Sequence, residues 1–293
     1  MQLNGIIGYL LSPCDARGEI DHPLLAQHIE YLVQAGVHGL APLGSVGCLP
    51  YLNDDERVAV LKTTVAASAG RVPVLAGVSS MSTAQTLRHA RLAEAAGVNA
   101  IQVLPSTYWK LTEAETFAYY QQVSEAVSLP IMVYNNPFVT GLDMSVSLLQ
   151  RLTGLPNIGL IKEASPEPGK IARLCQACGP EVKVFAGVSS MALQGLRDGA
   201  AGWATAAPNV CAPAILDFYR RLRTGDLEGA AAQFERQTPL LDYLLAHGLP
   251  RTISAAMALL GRDPGHLRAP LAPLEAGRRQ ILHILLKTLE MTP

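Results

Sequence analysis

Eight times along this chain a short apolar run is followed by a longer segment of helical periodicity, and that alternation limits the folds open to it more than any other feature. The runs are Ile6–Leu11, Gly39–Leu43, Val72–Gly77, Ala100–Leu104, Ile131–Tyr134, Ile158–Lys162, Val182–Ala186 and Gly202–Ala206. Between them apolar residues recur at i, i+3, i+4 spacing, as in Leu24, Ile29, Leu32, Val33 and in Leu87, Ala90, Leu92, Ala93, which is the signature of helices with one buried face. Helix starts are marked by Asn53 before Asp54-Asp55-Glu56, by Ser82 before Thr83, and by Thr112 three residues before Glu115; Gly36 and Gly97 mark stops. Eight strand–helix units, each roughly 20 to 35 residues, predict a closed (β/α)8 barrel, with a doubly wound open sheet as the rival. The hexapeptide Ala76-Gly-Val-Ser-Ser-Met81 recurs as Ala186-Gly-Val-Ser-Ser-Met191, four units later. A duplicated half-barrel would place a repeat at that interval, which favours the closed form.

Beyond the eighth run the pattern is helical only, over Leu216–Arg223, Leu227–Leu245, Thr252–Leu260 and Gly277–Leu289. The expected organisation is therefore a barrel over 1–223 and a helical extension over 224–293, packed on the barrel's side or top. Trp109, Tyr119 and Tyr120 either cover the barrel or contribute to an oligomer contact.

With 49% apolar residues, 16% charged and a net charge of −1 over 293 residues, the chain belongs with core-forming globular proteins. It lacks the basic footprint of a nucleic-acid or anionic-membrane binder, so its partner is a small molecule or another copy of itself. No stretch reaches the roughly 20 apolar residues of a membrane helix; the nearest, Ala200–Leu216, is interrupted by Trp203, Thr205, Asn209 and two prolines. The apolar Gly5–Leu11 is short, with no preceding Lys or Arg and no cleavage site, unlike a signal peptide. Five scattered cysteines read as thiols of a reducing compartment, the cytoplasm.

Barrel enzymes carry their chemistry at the C-terminal ends of the strands, and few residues qualify. Of six lysines, Lys62, Lys110, Lys170 and Lys287 fall in helical or loop patterns, where a solvated amine is the ordinary case. Lys183 begins its strand, at the opposite end of the barrel. Lys162 comes last in Ile158-Gly-Leu-Ile-Lys162, on the alternation of Ile158 and Leu160, and so points inward. Such an amine is either paired with Glu163 or another carboxylate, or desolvated into a neutral nucleophile able to form an imine with a ketone. Tyr134 ends the preceding strand and is either a packing residue or a proton shuttle beside that imine. The loop Leu43-Gly-Ser-Val-Gly-Cys-Leu-Pro50 offers backbone N–H groups and one hydroxyl to a small anion, or is a plain tight turn. Gly-x-Gly-x-x-Gly and Walker patterns are absent, and Cys175-Gln-Ala-Cys178 stands alone without a second pair or a nearby histidine, so neither cofactor nor metal is expected. No Gly-x-Ser-x-Gly elbow is present, and the segments after strands seven and eight lack the glycine-rich helix start of a phosphosugar barrel.

Together the Gly-Ser loop after strand two, Tyr134-Asn-Asn-Pro137 and Ile161-Lys-Glu-Ala-Ser165 resemble the dihydrodipicolinate synthase / N-acetylneuraminate lyase family, over nearly the whole chain. The resemblance implies a (β/α)8 barrel, a homotetramer, and cofactor-free class I aldolase chemistry on pyruvate or another 2-oxo acid. By position it makes Lys162 the imine-forming lysine and Tyr134 the proton-shuttling tyrosine. Ser45 becomes the hydroxyl that meets the substrate carboxylate, and Tyr108 the tyrosine inserted into a neighbouring subunit's site. Gly44, Val46, Thr140, Gly187 and Ala206 are placed around the substrate. Two departures stand out. The family loop Gly-Thr/Ser-Thr-Gly-Glu reads Gly44-Ser-Val-Gly-Cys48 here, which removes one hydroxyl and one acid. The synthases' Gly-Arg-Thr after the tyrosine motif is replaced by Phe138-Val-Thr140, so no guanidinium is present to bind a second carboxylate. The expected activity is aldol cleavage, aldol addition or dehydration of a 2-oxo acid, dihydrodipicolinate synthase-like but not the lysine-biosynthetic reaction. A dehydratase or deaminase of the same family, or a member that binds a 2-oxo acid without turnover, are the alternatives.

Overall fold

A computed structural model describes residues 3–291; the outermost positions of the two expected segments, 1, 2, 292 and 293, lie outside them. Eight strands form in the expected order: β1 Gly5–Tyr9, β2 Gly39–Ala41, β3 Leu75–Gly77, β4 Ala100–Val103, β5 Ile131–Asn135, β6 Ile158–Glu163, β7 Lys183–Ala186 and β8 Gly202–Thr205. All pair in parallel in the order β2-β1-β8-β7-β6-β5-β4-β3. A parallel bridge between Leu40 and Val74 joins the two ends of that sequence. The sheet is thus closed on itself, a (β/α)8 barrel, and the open-sheet rival is excluded. Closure also removes every strand edge.

The local signals act as their chemistry requires. Asn53 and Thr112 each complete a reciprocal capping box with Glu56 and Glu115, and the Ser82 hydroxyl accepts from the Gln85 N–H. Gly36 and Gly97 lie at φ 97° and 82°, a backbone state that costs L-residues roughly 1–2 kcal/mol. Tyr119 and Tyr120 are buried on the helix Glu113–Ala126, covering the barrel, whereas Trp109 is exposed.

After β8 come helices Pro208–Arg223, Leu227–Ala246, Leu249–Leu259 and Ala276–Thr288. The first is longer than its periodic part and kinks at Cys211, where the backbone is non-helical, two residues before Pro213. Trp203 of β8 packs edge-on against Phe218 and Phe234, which stack 5.0 Å apart. That fully enclosed trio joins the helix Leu227–Ala246 to the barrel wall, and holds its far end over the barrel mouth. No helix among the described residues is long and apolar enough to cross a membrane.

Candidate active site

β6 contains one residue more than β5 can pair: Ile131 faces Ile158 and Met132 faces Leu160, which leaves Gly159 as a bulge. Register resumes after it, with Tyr134 opposite Lys162 and Asn135 opposite Glu163. Leu160 and Lys162 therefore share the inward face as alternation predicts, but the bulge separates Ile158 from that phase. Glu163, not Lys162, ends the strand.

Lys162 is 5% exposed and makes no ion pair among the described residues. Its Nζ lies 3.9 Å from the centre of the Tyr9 ring and 4.2 Å from that of Tyr134. Two ring faces favour an ammonium by about 0.5–2 kcal/mol each, yet enclosure in this apolar bore opposes the charge more strongly. Burial holds the amine's pKa down to about 7. Both enclosing tyrosines are themselves held protonated. Burial, with a smaller contribution from the Glu163 charge, pushes Tyr134 up to about 12 against the hydrogen bond from Asn136; that bond runs from Asn136 Nδ2 to the phenol oxygen at 2.7 Å. Burial likewise raises Tyr9, whose hydroxyl donates across the barrel interior to Gln102 on β4.

Glu163 points away from Lys162, into a buried polar cluster behind the site. Its carboxylate accepts from Asn135 Nδ2 at 3.1 and 2.9 Å and from the Ser165 N–H at 2.6 Å. Its cationic neighbour is Lys170, 3.7 Å away, which binds Asp143 at 2.5 Å. Lys170, expected to be solvated, is 2% exposed. The turn at Gly169, with φ 72°, feeds it into the first turn of the helix Lys170–Cys178, so its amine reaches inward rather than to water.

A cavity of about 460 Å³ opens above Lys162. Tyr9, Tyr134 and Lys162 form its floor, Ser45 and Val46 one wall, and Gly187 and Ala206 the rim of β7 and β8. The wall opposite comes from Phe138, Val139 and the helices beyond the barrel, through Leu241, Leu244, Leu245, Leu249 and Pro250. Ser45 is exposed to this space, while Val46 is 2% exposed. Leu43 and Cys48 bracket the loop at φ 57°, a strained state for a leucine. Gly77 makes room for that bend, because a side chain there would overlap the Leu43 carbonyl. The Cys48 thiol is enclosed and pushed up to about 11 by burial.

Three sequence-selected residues do not border the cavity. Gly44 lies beneath Tyr9, where a Cβ would stand 2.5 Å from the ring. The Thr140 hydroxyl is occupied by the backbone carbonyls of Asn136 and Leu142. Tyr108 is 84% exposed, stacked edge-on with Trp109 on the outer loop. Three contributors were overlooked. Tyr9 was accessible to the same strand-end criterion as Tyr134, had β1 been ended at Tyr9 instead of Leu11. Asn136 stood in the quoted tyrosine motif without a role. The leucines of Leu227–Ala246 carry no local mark, since helical periodicity does not say what a face will cover.

The duplicated hexapeptide acquires a physical reason. Its second glycine, Gly187, passes so close to β6 that a Cβ would lie 2.8 Å from Ala164 Cβ, 2.9 Å from the Glu163 carbonyl and 3.1 Å from Lys162 Cε. Gly187→Ala should displace the lysine stem, lowering kcat about tenfold to a hundredfold and stability by about 1–3 kcal/mol. Steady-state kinetics beside thermal denaturation check both.

A family model for the dihydrodipicolinate synthetase family matches residues 2–289. A 4-hydroxy-tetrahydrodipicolinate synthase of Acidiphilium cryptum is 32% identical over 279 residues, 95% of this chain and 96% of its own. A structure from Pseudomonas aeruginosa, provisionally assigned as a dihydrodipicolinate synthetase, superposes with a TM-score of 0.95 at 41% identity, covering 98% of this chain and 100% of the other. YagE, an Escherichia coli K12 prophage protein of the dihydrodipicolinic acid synthase family solved in complex with pyruvate, superposes with a TM-score of 0.93 at 29% identity, over 99% and 100%. Matched in sequence and in structure over nearly its whole length, the chain belongs to the dihydrodipicolinate synthetase family, whose members are lyases of the class I aldolase type.

Proposed function

We propose that this lyase acts on pyruvate-type 2-oxo acids through an imine on Lys162. The observation that carries the reading is the unpaired, buried Lys162 amine at the floor of the cavity, held near neutrality by burial. The neutral amine adds to the C2 carbonyl; the C–N bond forms, the oxygen takes up one proton from the nitrogen and a second from the proton relay, and it then leaves as water. The resulting iminium accepts the electron pair released when the C3–C4 bond of a 4-hydroxy-2-oxo acid breaks, while the C4 hydroxyl loses its proton and C4 departs as an aldehyde; the enamine left behind takes up a proton at C3, and water hydrolyses the iminium to release pyruvate and the amine. Tyr134, a protonated phenol beside the amine, is the relay for these protons. The substrate carboxylate is held by Ser45 and the loop N–H groups around Val46. Reversing the steps gives aldol addition, and loss of water or ammonia from the same iminium gives dehydration or deamination. A relative solved with pyruvate supports the choice of substrate. The absent guanidinium, with Val139 lining the cavity instead, argues against the lysine-biosynthetic reaction.

Incubation with pyruvate and borohydride, followed by peptide mapping, tests the mechanism. An adduct on Lys162 is expected; none, or one on Lys183, overturns it. With cyanoborohydride, labelling should accelerate about tenfold per pH unit below pH 7 and level off above it, because only the neutral amine attacks. A rate that keeps rising about tenfold per pH unit from pH 7 through pH 9 would contradict the depressed amine. Val46→Thr restores a hydroxyl and should tighten pyruvate about tenfold, the value of one hydrogen bond to a charged group. Titration by calorimetry reads this out, and unchanged affinity counts against the proposed carboxylate position. If wild type labels but turns over no 2-oxo acid, the binding-only alternative holds.

Tyr108 and Trp109, 84% and 80% exposed, offer an aromatic contact outside the chain's own cavity. We infer that Tyr108 reaches a neighbouring subunit's site in a homotetramer, a state that sedimentation can check. The cysteines, all free, agree with a cytoplasmic location.

A further inference from the structure

The cavity is far larger than a pyruvate, and its two halves differ in chemistry. Around Lys162 lie the polar groups that an imine and a carboxylate need: Ser45, Tyr134, Asn136 and Thr205. Farther out the wall consists of Phe138 and Val139 on the turn after β5, and of Leu241, Leu244, Leu245 and Leu249 from the helices beyond the barrel. Phe138 and Val139 are 73% and 61% exposed and Leu245 is 49% exposed, so large apolar surfaces face the opening. Lys162 is the only charged residue among those lining the cavity, and it sits at the floor. Among the described residues, no arginine, histidine, aspartate or glutamate lines the outer half.

We propose that this outer half binds an uncharged apolar group, so that the aldehyde partner is an aryl or branched-alkyl aldehyde. The corresponding cleavable substrate is a 4-hydroxy-2-oxo acid with an apolar substituent at C4. The inference rests on the imine reading of Lys162 and specifies its substrate class. Two effects give it direction. A phenyl or isobutyl group entering this chamber leaves water against phenylalanine, valine and leucine side chains, which is favourable in proportion to the area covered. A second carboxylate entering the same space loses hydration and finds no cation among the described lining residues there, only the neutral Ser189 hydroxyl beyond β7. In the addition direction the pyruvate iminium loses a C3 proton to become the enamine, whose C3 attacks the aldehyde carbon; the C–C bond forms, the iminium is restored, and the aldehyde oxygen takes up a proton. Hydrolysis then returns the amine and consumes the water released when the imine formed. Because the apolar wall belongs in large part to the helix Leu227–Ala246, the segment beyond the barrel takes part in selectivity.

Borohydride trapping reads this preference without requiring turnover. The full-length protein is titrated with pyruvate, with 2-oxo-4-phenylbutanoate and with 2-oxoglutarate, and adducts on Lys162 are quantified by mass spectrometry. Half-maximal labelling by 2-oxo-4-phenylbutanoate is expected at a concentration at least about thirtyfold below that for 2-oxoglutarate. Val139→Arg, which adds a cation to the outer wall, should narrow or invert that ratio by about tenfold or more. Equal labelling by the two larger acids, a preference for 2-oxoglutarate, or labelling by pyruvate alone would overturn the apolar chamber and leave the imine chemistry standing. Failure of pyruvate itself to label Lys162 would overturn the reading on which the chamber rests.

Discussion

Lys162→Met should abolish borohydride labelling and lower turnover of any 2-oxo acid by at least about 10⁴-fold, while making the protein more stable. Methionine keeps the length of the side chain and its apolar stem but removes the nucleophile, and among the described residues no other amine borders the cavity. The rate falls because a covalent route that divides one difficult step into two is lost. Stability moves the other way because burial of the native amine is unfavourable. Unfolded, it keeps its proton up to about its ordinary pKa of 10.5; folded, it releases it near 7. Between those values the unfolded chain holds more protons, so the wild type gains stability as pH rises through that window. Methionine binds no proton in either state. Its advantage is therefore greatest at and below pH 7, on the order of 2–3 kcal/mol, and shrinks toward pH 10.5. Urea denaturation at pH 7 and pH 9.5 measures both arms. A variant less stable than wild type at pH 7, or one retaining the adduct, would contradict the account.

Lys170→Met should have the largest effect on stability. Lys170 touches nothing in the cavity, yet it is the cation nearest Glu163, whose side chain is 2% exposed. Removing one member of a buried ion cluster leaves the other charge uncompensated and costs about 3–5 kcal/mol. The Glu163 charge already contributes to raising Tyr134, so an unbalanced carboxylate acts on the site through that phenol as well. Lys170 is a positioning residue in this sense. The expected signature is a lower midpoint in denaturant with an unchanged m-value, together with an altered pH profile for labelling of Lys162. Glu163→Gln in the same background should recover part of the stability, because it removes the stranded charge. If the double variant is no more stable than Lys170→Met, the ion cluster is not what Lys170 supports.

The two residues show how far the sequence reaches. The place of Lys162 near the end of an apolar strand follows from chain order alone. Strand period, strand end and barrel rule all concern residues within a few positions of one another. The same local logic predicted eight strands, the caps at Asn53, Ser82 and Thr112, and the αL glycines, all of which the structure contains. It also produced Tyr134, which stands in register beside Lys162.

What the sequence determined by itself, then, was the order of eight strands and the positions of Lys162 and Tyr134 near two strand ends, because hydrophobic periodicity and strand ends are short-range properties; closure came from the pairing of strands distant in the chain. Only the tertiary structure decided whether Lys162 was paired. Glu163, its neighbour in the chain, turns to the opposite side of β6 and finds Lys170, Asn135 and the Ser165 N–H. That leaves the Lys162 amine between Tyr9 and Tyr134, which lie 153 and 28 residues before it in the chain. The wall of leucines facing it was equally illegible, since nothing local states which surface the last helices cover. Desolvation is set by everything that encloses a group, and the residues enclosing this one come from both ends of the chain.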